Sequence, residues 1–335
     1  MSSKSSSSST FVLFALLLLA ALALTGCAAP PPSSQAPDGQ ADAGPVTVRV
    51  GLLPITDVVP FYVAQAEDFY AAEGVEAELI PVNSGAERDT LIQADAIDCQ
   101  LTDLHNVILI NAGEGDIKLR VISSARKATP DLAQFFLLSA PQSGIAEPAQ
   151  LAGKRIGISE NTVIEYWTDR LLAGAGVDPA TVEKVNVPQI PVRLELLGSG
   201  QIDAAVLPDP LASLAQLTGA TNVIDDTAQP EIGLSILSCS TAFIAEHRDA
   251  VQGLLNAWDQ AVVAINADPA QFQNILIENT RVPDPLLDRY TLTAFPVEEL
   301  PTMDQVQDVV DWAMEKGVID APMGYDDVVD ASFRQ

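Results

Sequence analysis

The sequence predicts an α/β protein of two similar lobes, each a parallel or mixed sheet with helices on both faces, and a ligand cleft between them. Three observations lead there. First, the chain repeats itself: Arg88–Asp103 (RDTLIQADAIDCQLTD) and Arg193–Asp209 (RLELLGSGQIDAAVLPD) align at an offset of 105, matching Arg88 with Arg193, Leu91 with Leu196, Ile97 with Ile202 and Asp98 with Asp203. Long-range internal similarity is the mark of a duplicated unit. Second, short β-branched or apolar runs alternate with helical stretches, the pattern of βαβ units. Third, 335 residues with 48% hydrophobic and 19% charged content are enough for two lobes with ample cores.

The elements follow in order. Val46–Leu53 alternates and then turns apolar, as a central strand does. Pro54–Asp57 breaks it, and Asp57 is placed to cap a helix running from about Pro60 to Gly74. Strand Glu76–Val82 leads to Ser84 and Glu87, spaced as a capping box for the helix carrying Arg88. Strand Cys99–Leu101, a helix through Ile110 and strand Leu119–Ser124 complete the first unit. Phe135–Ser139 leads away. Lys154–Ile158 (KRIGI) then echoes Val48–Leu52 (VRVGL) and starts the second unit.

In that unit Thr162 and Glu165 form another capping box before helix Val163–Ala173. Strand Val182–Val187, helix Ile190–Gly198, the strand before Pro208, helix Leu211–Thr218 and strand Asn222–Ile224 follow. Leu234–Phe243 is expected as a strand returning to the first lobe, so lobe 1 spans 46–137 plus 238–335 and lobe 2 spans 138–237. The two crossings are expected at about Gln134–Ser139 and Leu234–Ser238. The remainder is helical, with Trp258 and Trp312 on apolar stripes of Arg248–Ala267 and Asp304–Lys316.

The N-terminus has the form of a targeting segment. Lys4 supplies a positive start and Phe11–Leu24 is fourteen uncharged residues, the length of a signal core and short for a bilayer span. Leu24-Thr25-Gly26-Cys27 resembles a bacterial lipobox. That resemblance implies a lipoprotein signal peptide over 1–26, lipid attachment at Cys27, and anchoring at the outer face of the cytoplasmic membrane. Residues 27–45, rich in Pro, Ser, Ala and Gly, form a flexible tether.

Composition removes several function classes. Lys+Arg number 17 against Asp+Glu 45, a net charge of −28 that repels nucleic acid and anionic headgroups. Membrane contact is therefore expected through the N-terminal lipid only. No His/Cys/Asp group has metal-ligand spacing, no glycine loop suits a phosphate, and no cofactor is expected. Cys99 and Cys239 lie in apolar strand patterns and are expected as buried free thiols, although an extracytoplasmic setting permits a bridge.

In open parallel sheets ligands bind beyond the carboxyl ends of the strands. Candidate ligand contacts are therefore Asp57, Ser84, Gly85 and Ala86, Thr102 and Asp103, Glu160 to Thr162 (with Asn161 between them), and Pro208 and Asp209. Asp57, Ser84, Thr102 and Thr162 serve equally well as helix caps. Phe61, Tyr62, Tyr166 and Trp167 stand early in the following helices, either to stack on a flat ring or to pack in the core. Four acidic side chains (Asp57, Asp103, Glu160, Asp209) stand at these tips, and no Arg or Lys occurs in the loops. Such a cleft favours a ligand with N–H or O–H donors over an anion.

The run Val48–Pro81 (VRVGLLPITDVVPFYVAQAEDFYAAEGVEAELIP) resembles the opening of one family of ABC-importer substrate-binding proteins. Members bind nitrate, sulfonates and taurine, or pyrimidine precursors of thiamine. The two helix–Ile-Asp–strand segments and Phe243–Val251 (FIAEHRDAV) are similar to family patterns too. The resemblance implies a type II-like periplasmic-binding-protein fold with a two-strand hinge and no catalysis. It also implies delivery of a small molecule to a permease and its ATPase, with the chain acting as a monomer. Cys99 and the acidic tips depart from the small residues common in the family, so a vitamin-related heterocycle (a thiamine pyrimidine precursor, or riboflavin) is preferred. A sulfonate, taurine or nitrate-type anion is the alternative. A sensor, or a biosynthetic enzyme on the same scaffold, is the rival class.

Overall fold

The computed structural model describes residues Gly44–Arg334. The expected signal peptide, Cys27 and the tether up to residue 43 lie outside them. Among the described residues ten strands build two five-stranded mixed sheets. They are β1 (Val46–Leu52), β2 (Val75–Pro81), β3 (Cys99–Asp103), β4 (Leu119–Lys127), β5 (Phe135–Ser139), β6 (Arg155–Ile158), β7 (Glu183–Asn186), β8 (Ala204–Pro208), β9 (Thr221–Asp225) and β10 (Leu234–Ser240). The first sheet has the order β2-β1-β3-β10-β4 and the second β7-β6-β8-β5-β9.

The two orders are one topology used twice, with a strand exchanged. In each, three strands run parallel and the fourth position is taken by an antiparallel strand from the chain crossing. β10 enters the first sheet antiparallel to β3 and β4, and β5 enters the second antiparallel to β8 and β9. β5 belongs to the second sheet from Phe135 onward and β10 to the first from Leu234, so the crossings occupy residues 128–134 and 226–233. Those positions precede the expected ones by a few residues. Asp226 fastens the crossings together, accepting from the backbone N–H of Gln134 at 2.8 Å and of Phe135 at 3.2 Å.

The repeated phrase has a repeated physical job. Asp98 accepts from the backbone N–H of Arg49 at 2.8 Å, and Asp203 from that of Arg155 at the same distance. Each aspartate thus pins the turn before its own strand to the backbone of the neighbouring strand, at the middle of β1 and at the first residue of β6. The isoleucine before it covers a glycine: a Cβ on Gly51 would stand 2.5 Å from Ile97 Cδ1, and one on Gly157 2.5 Å from Ile202 Cδ1. The glycines leave room for that isoleucine and for the stem of an arginine, Arg88 or Arg193.

Four expectations need correction. Asp57 caps no helix; Val58 stands at the N-cap of Val59–Ala66 without a side-chain bond, and the Asp57 carboxylate pairs with Arg126 instead. Cys99 and Cys239 are directly opposed on antiparallel β3 and β10 and form a disulfide, not free thiols. The helix expected from Pro60 to Gly74 is two pieces, Val59–Ala66 and Phe69–Ala72, separated at Asp68 with φ 58°. Leu234–Phe243 is strand only to Ser240, whose hydroxyl accepts from the N–H of Phe243 and caps helix Thr241–Glu246. Trp258 is wholly buried against Phe61, ring centroids 4.7 Å apart. Trp312, on helix Met303–Glu315, donates its indole N–H to Asp169 of the second lobe at 3.1 Å.

Candidate functional site in the interlobe cleft

Strand ends from both sheets converge on one cavity of ≈ 100 Å³. From the first lobe come Leu53 and Ile55 after β1, Ser84 and Gly85 after β2, and Thr102 and Asp103 at the end of β3. Ser159 and Thr162 follow β6, Pro188 and Ile190 follow β7, and Pro208 ends β8. Phe135, Leu234 and Ser235, at the starts of the exchanged strands, also line it. A wider cavity of ≈ 440 Å³ adjoins it, sharing Leu53, Ile55, Ile190 and Pro208 and adding Asp209, Leu211 and Arg281.

Of the expected contacts, Asp57, Ser84, Gly85, Thr102, Asp103, Thr162 and Pro208 line the smaller cavity and Asp209 the wider one. Several of them also cap helices. Ser84 Oγ accepts from Glu87 N–H at 3.1 Å, Asp103 from Asn106 N–H at 2.8 Å, and Thr162 Oγ1 from Ile164 N–H at 3.2 Å. Thr102 does not cap; its hydroxyl is buried with no partner among the described residues. Ala86, Glu160 and Asn161 are exposed and line neither cavity. Nor do the aromatic candidates stack there. Phe61 is in the core, Tyr62 is half-buried off both cavities, and Trp167 packs on Phe135. Tyr166 donates its hydroxyl to Asp308 at 2.5 Å. His105 lies apart as well, buried against Trp312 at 5.2 Å.

Sequence reasoning missed two arginines that line the smaller cavity, Arg88 and Arg193. Each is the fourth residue of its helix, Gly85–Gln93 or Ile190–Gly198. Helical side chains point back toward the N-terminus, so a long one in the first turn reaches past the helix start to the strand ends. Counting cations only within the loops therefore overlooked them. The aligned pair in the repeat was the available signal. Arg88 is 5% and Arg193 1% exposed, which for an arginine demands compensation.

Arg88 is compensated. It donates to the Leu101 carbonyl at 3.0 Å and pairs with Asp89 at 3.1 Å. Arg193 is not: among the described residues its Nε and Nη1 have no hydrogen-bond partner and no carboxylate forms an ion pair with it. Burial alone lowers its pKa to about 10, which leaves it charged at neutral pH.

The acidic tips prove less hostile to an anion than the sequence suggests. Asp57 is neutralised by Arg126 at 2.9 Å, with both side chains buried. Asp209 spends one oxygen on the N–H and hydroxyl of Ser213, at 2.9 and 2.8 Å. Burial raises the pKa of Asp103 and Asp209, weakening their hold on charge. Glu160 is off the cavity. Arg193 is the buried cation at the cleft that has no carboxylate partner among the described residues.

A family model described as NMT1/THI5 like matches residues 55–272. No curated protein matches the chain. Among solved structures, the alkanesulfonate-binding protein SsuA from Xanthomonas axonopodis pv. citri, bound to MOPS, superposes with TM-score 0.69 at 17% identity, covering 87% of this chain and 98% of that one. The periplasmic nitrate-binding protein NrtA from Synechocystis PCC 6803 gives TM-score 0.70 at 15% identity, covering 86% and 87%. The desulfurization enzyme DSZB gives TM-score 0.67 at 16% identity, covering 86% and 97%. At these identities the likeness is one of fold. No helix among the described residues is long and apolar enough to cross a membrane.

Proposed function

We propose that this chain, which belongs to the NMT1/THI5-like family, is an extracytoplasmic solute-binding protein that closes on a small anion and delivers it to an ABC importer. Arg193 carries the reading. A buried guanidinium with two unpartnered nitrogens, facing a cavity between two lobes, is stabilised by an anionic oxygen that enters with the ligand. The partly buried first turns of the helices beginning at Gly85 and Val163 add N–H groups suited to the same charge. Sulfonates and nitrate fit this chemistry better than the vitamin heterocycle preferred from sequence, whose case rested on free carboxylates and no nearby cation. The names of SsuA and NrtA, relatives in fold, point the same way.

Closure would proceed about the two crossings, bringing the jaws together over the ligand. Attachment through Cys27 would keep the protein at the outer membrane face, beside its permease. The competing reading is an enzyme, because DSZB shares the fold.

A thermal-shift screen tests the proposal. Sulfonates, taurine, nitrate, thiamine precursors and riboflavin would each be added to the purified chain, since a ligand of the folded state raises its melting temperature. Stabilisation by an anion and not by the heterocycles is expected. Stabilisation by a heterocycle alone would overturn the anion reading, and turnover of a bound compound would favour the enzyme.

A further inference from the structure

We propose that the residue after each duplicated arginine decides which jaw takes the ligand's negative charge: Asp89 neutralises Arg88 in the first lobe, whereas Leu194 leaves Arg193 available in the second. This inference rests on the anion reading above and assigns its charge selectivity to a single pair of equivalent positions.

The two arginines share a setting. Each is the fourth residue of a helix opening at the cleft, and each lays its stem over a strand glycine, Cγ 3.4 Å from a Cβ on Gly51 or 3.3 Å from one on Gly157. They differ in the next residue. Asp89 accepts from Arg88 Nε at 3.3 Å and from Nη2 at 3.1 Å, so the guanidinium edge is occupied before any ligand arrives. Position 194, the counterpart at the same offset, is a half-buried leucine that lines the wider cavity and supplies no acceptor. Nε, which Asp89 binds in Arg88, is one of the two orphaned atoms of Arg193. A duplicated gene product with arginines in both jaws would present two like charges to one ligand. The aspartate in one copy reduces that to a single strong anion contact, made by the second lobe.

Leu194→Asp tests this by rebuilding the first lobe's arrangement in the second, and Leu194→Asn controls for the loss of leucine packing. Methanesulfonate and nitrate are the probes, titrated calorimetrically at fixed ionic strength. We expect Leu194→Asp to lose at least tenfold in affinity relative to Leu194→Asn. Without ligand, the Asp variant should melt above the Asn variant, because its carboxylate pairs with a buried charge. Equal affinity and equal melting temperature in the two variants would overturn the inference. It would leave the anion reading standing if Arg193→Gln still abolished binding. If neither probe binds the wild type, the ligand-free comparison alone decides. Should neither Leu194 variant fold, Asp89→Leu decides instead: freeing Arg88 should strengthen probe binding, and unchanged or weaker binding would count against the assignment.

Discussion

Arg126 donates to Asp57 at 2.9 Å, and the two side chains, 4% and 6% exposed, form a buried ion pair beside the cleft. Removing one member of such a pair leaves an unpaired buried charge, at a cost of about 3–5 kcal/mol. Asp57→Asn should therefore lower unfolding stability by roughly that amount in urea titrations. A loss under about 1 kcal/mol would show that the pair is effectively solvated.

The disulfide joins residues 140 apart in sequence, across neighbouring strands of one sheet. Closing so long a loop in the unfolded chain is worth about 2–5 kcal/mol. Cys99→Ala/Cys239→Ala should lose that much in denaturant titrations, and reductant should lower the midpoint of the wild type but not of the double variant.

Asp226 gives the crossings a pH signature. Burial pushes its pKa up to about 7, despite the two N–H donors it faces. An acid whose pKa is higher folded than unfolded holds its proton more tightly in the folded state. Stability then falls as pH rises from about 4 to about 7, by up to about 1.4 kcal/mol per unit, and levels off above. Asp103, Asp209 and Asp89 are shifted the same way, so the wild-type slope is shared. The slope should be shallower in Asp226→Asn; identical profiles would remove Asp226 from the account.

Much of this architecture is local and was legible in the sequence. The capping residues Ser84 and Thr162 and the repeated Ile-Asp act over a few residues or through one neighbouring strand. The exchange of β5 and β10 is not local. Both are short apolar strands, and which sheet each joins depends on pairing across roughly a hundred residues of sequence. The disulfide was hidden for that reason: its cysteines meet only once β10 lies against β3. The cleft's charge was misjudged through side-chain reach. A carboxylate in a loop and an arginine one turn into the following helix can face the same volume, and only geometry tells which is already paired.

The most direct measurement is isothermal titration of the anion that stabilises the wild type most, repeated on Arg193→Gln. A hydrogen-bonded contact to a charged group is worth about 1.5–3 kcal/mol, roughly tenfold to 150-fold in affinity. The anion reading predicts a loss in that range, with the variant as stable as the wild type or more so when no ligand is present. Unchanged affinity in a folded Arg193→Gln protein would contradict it.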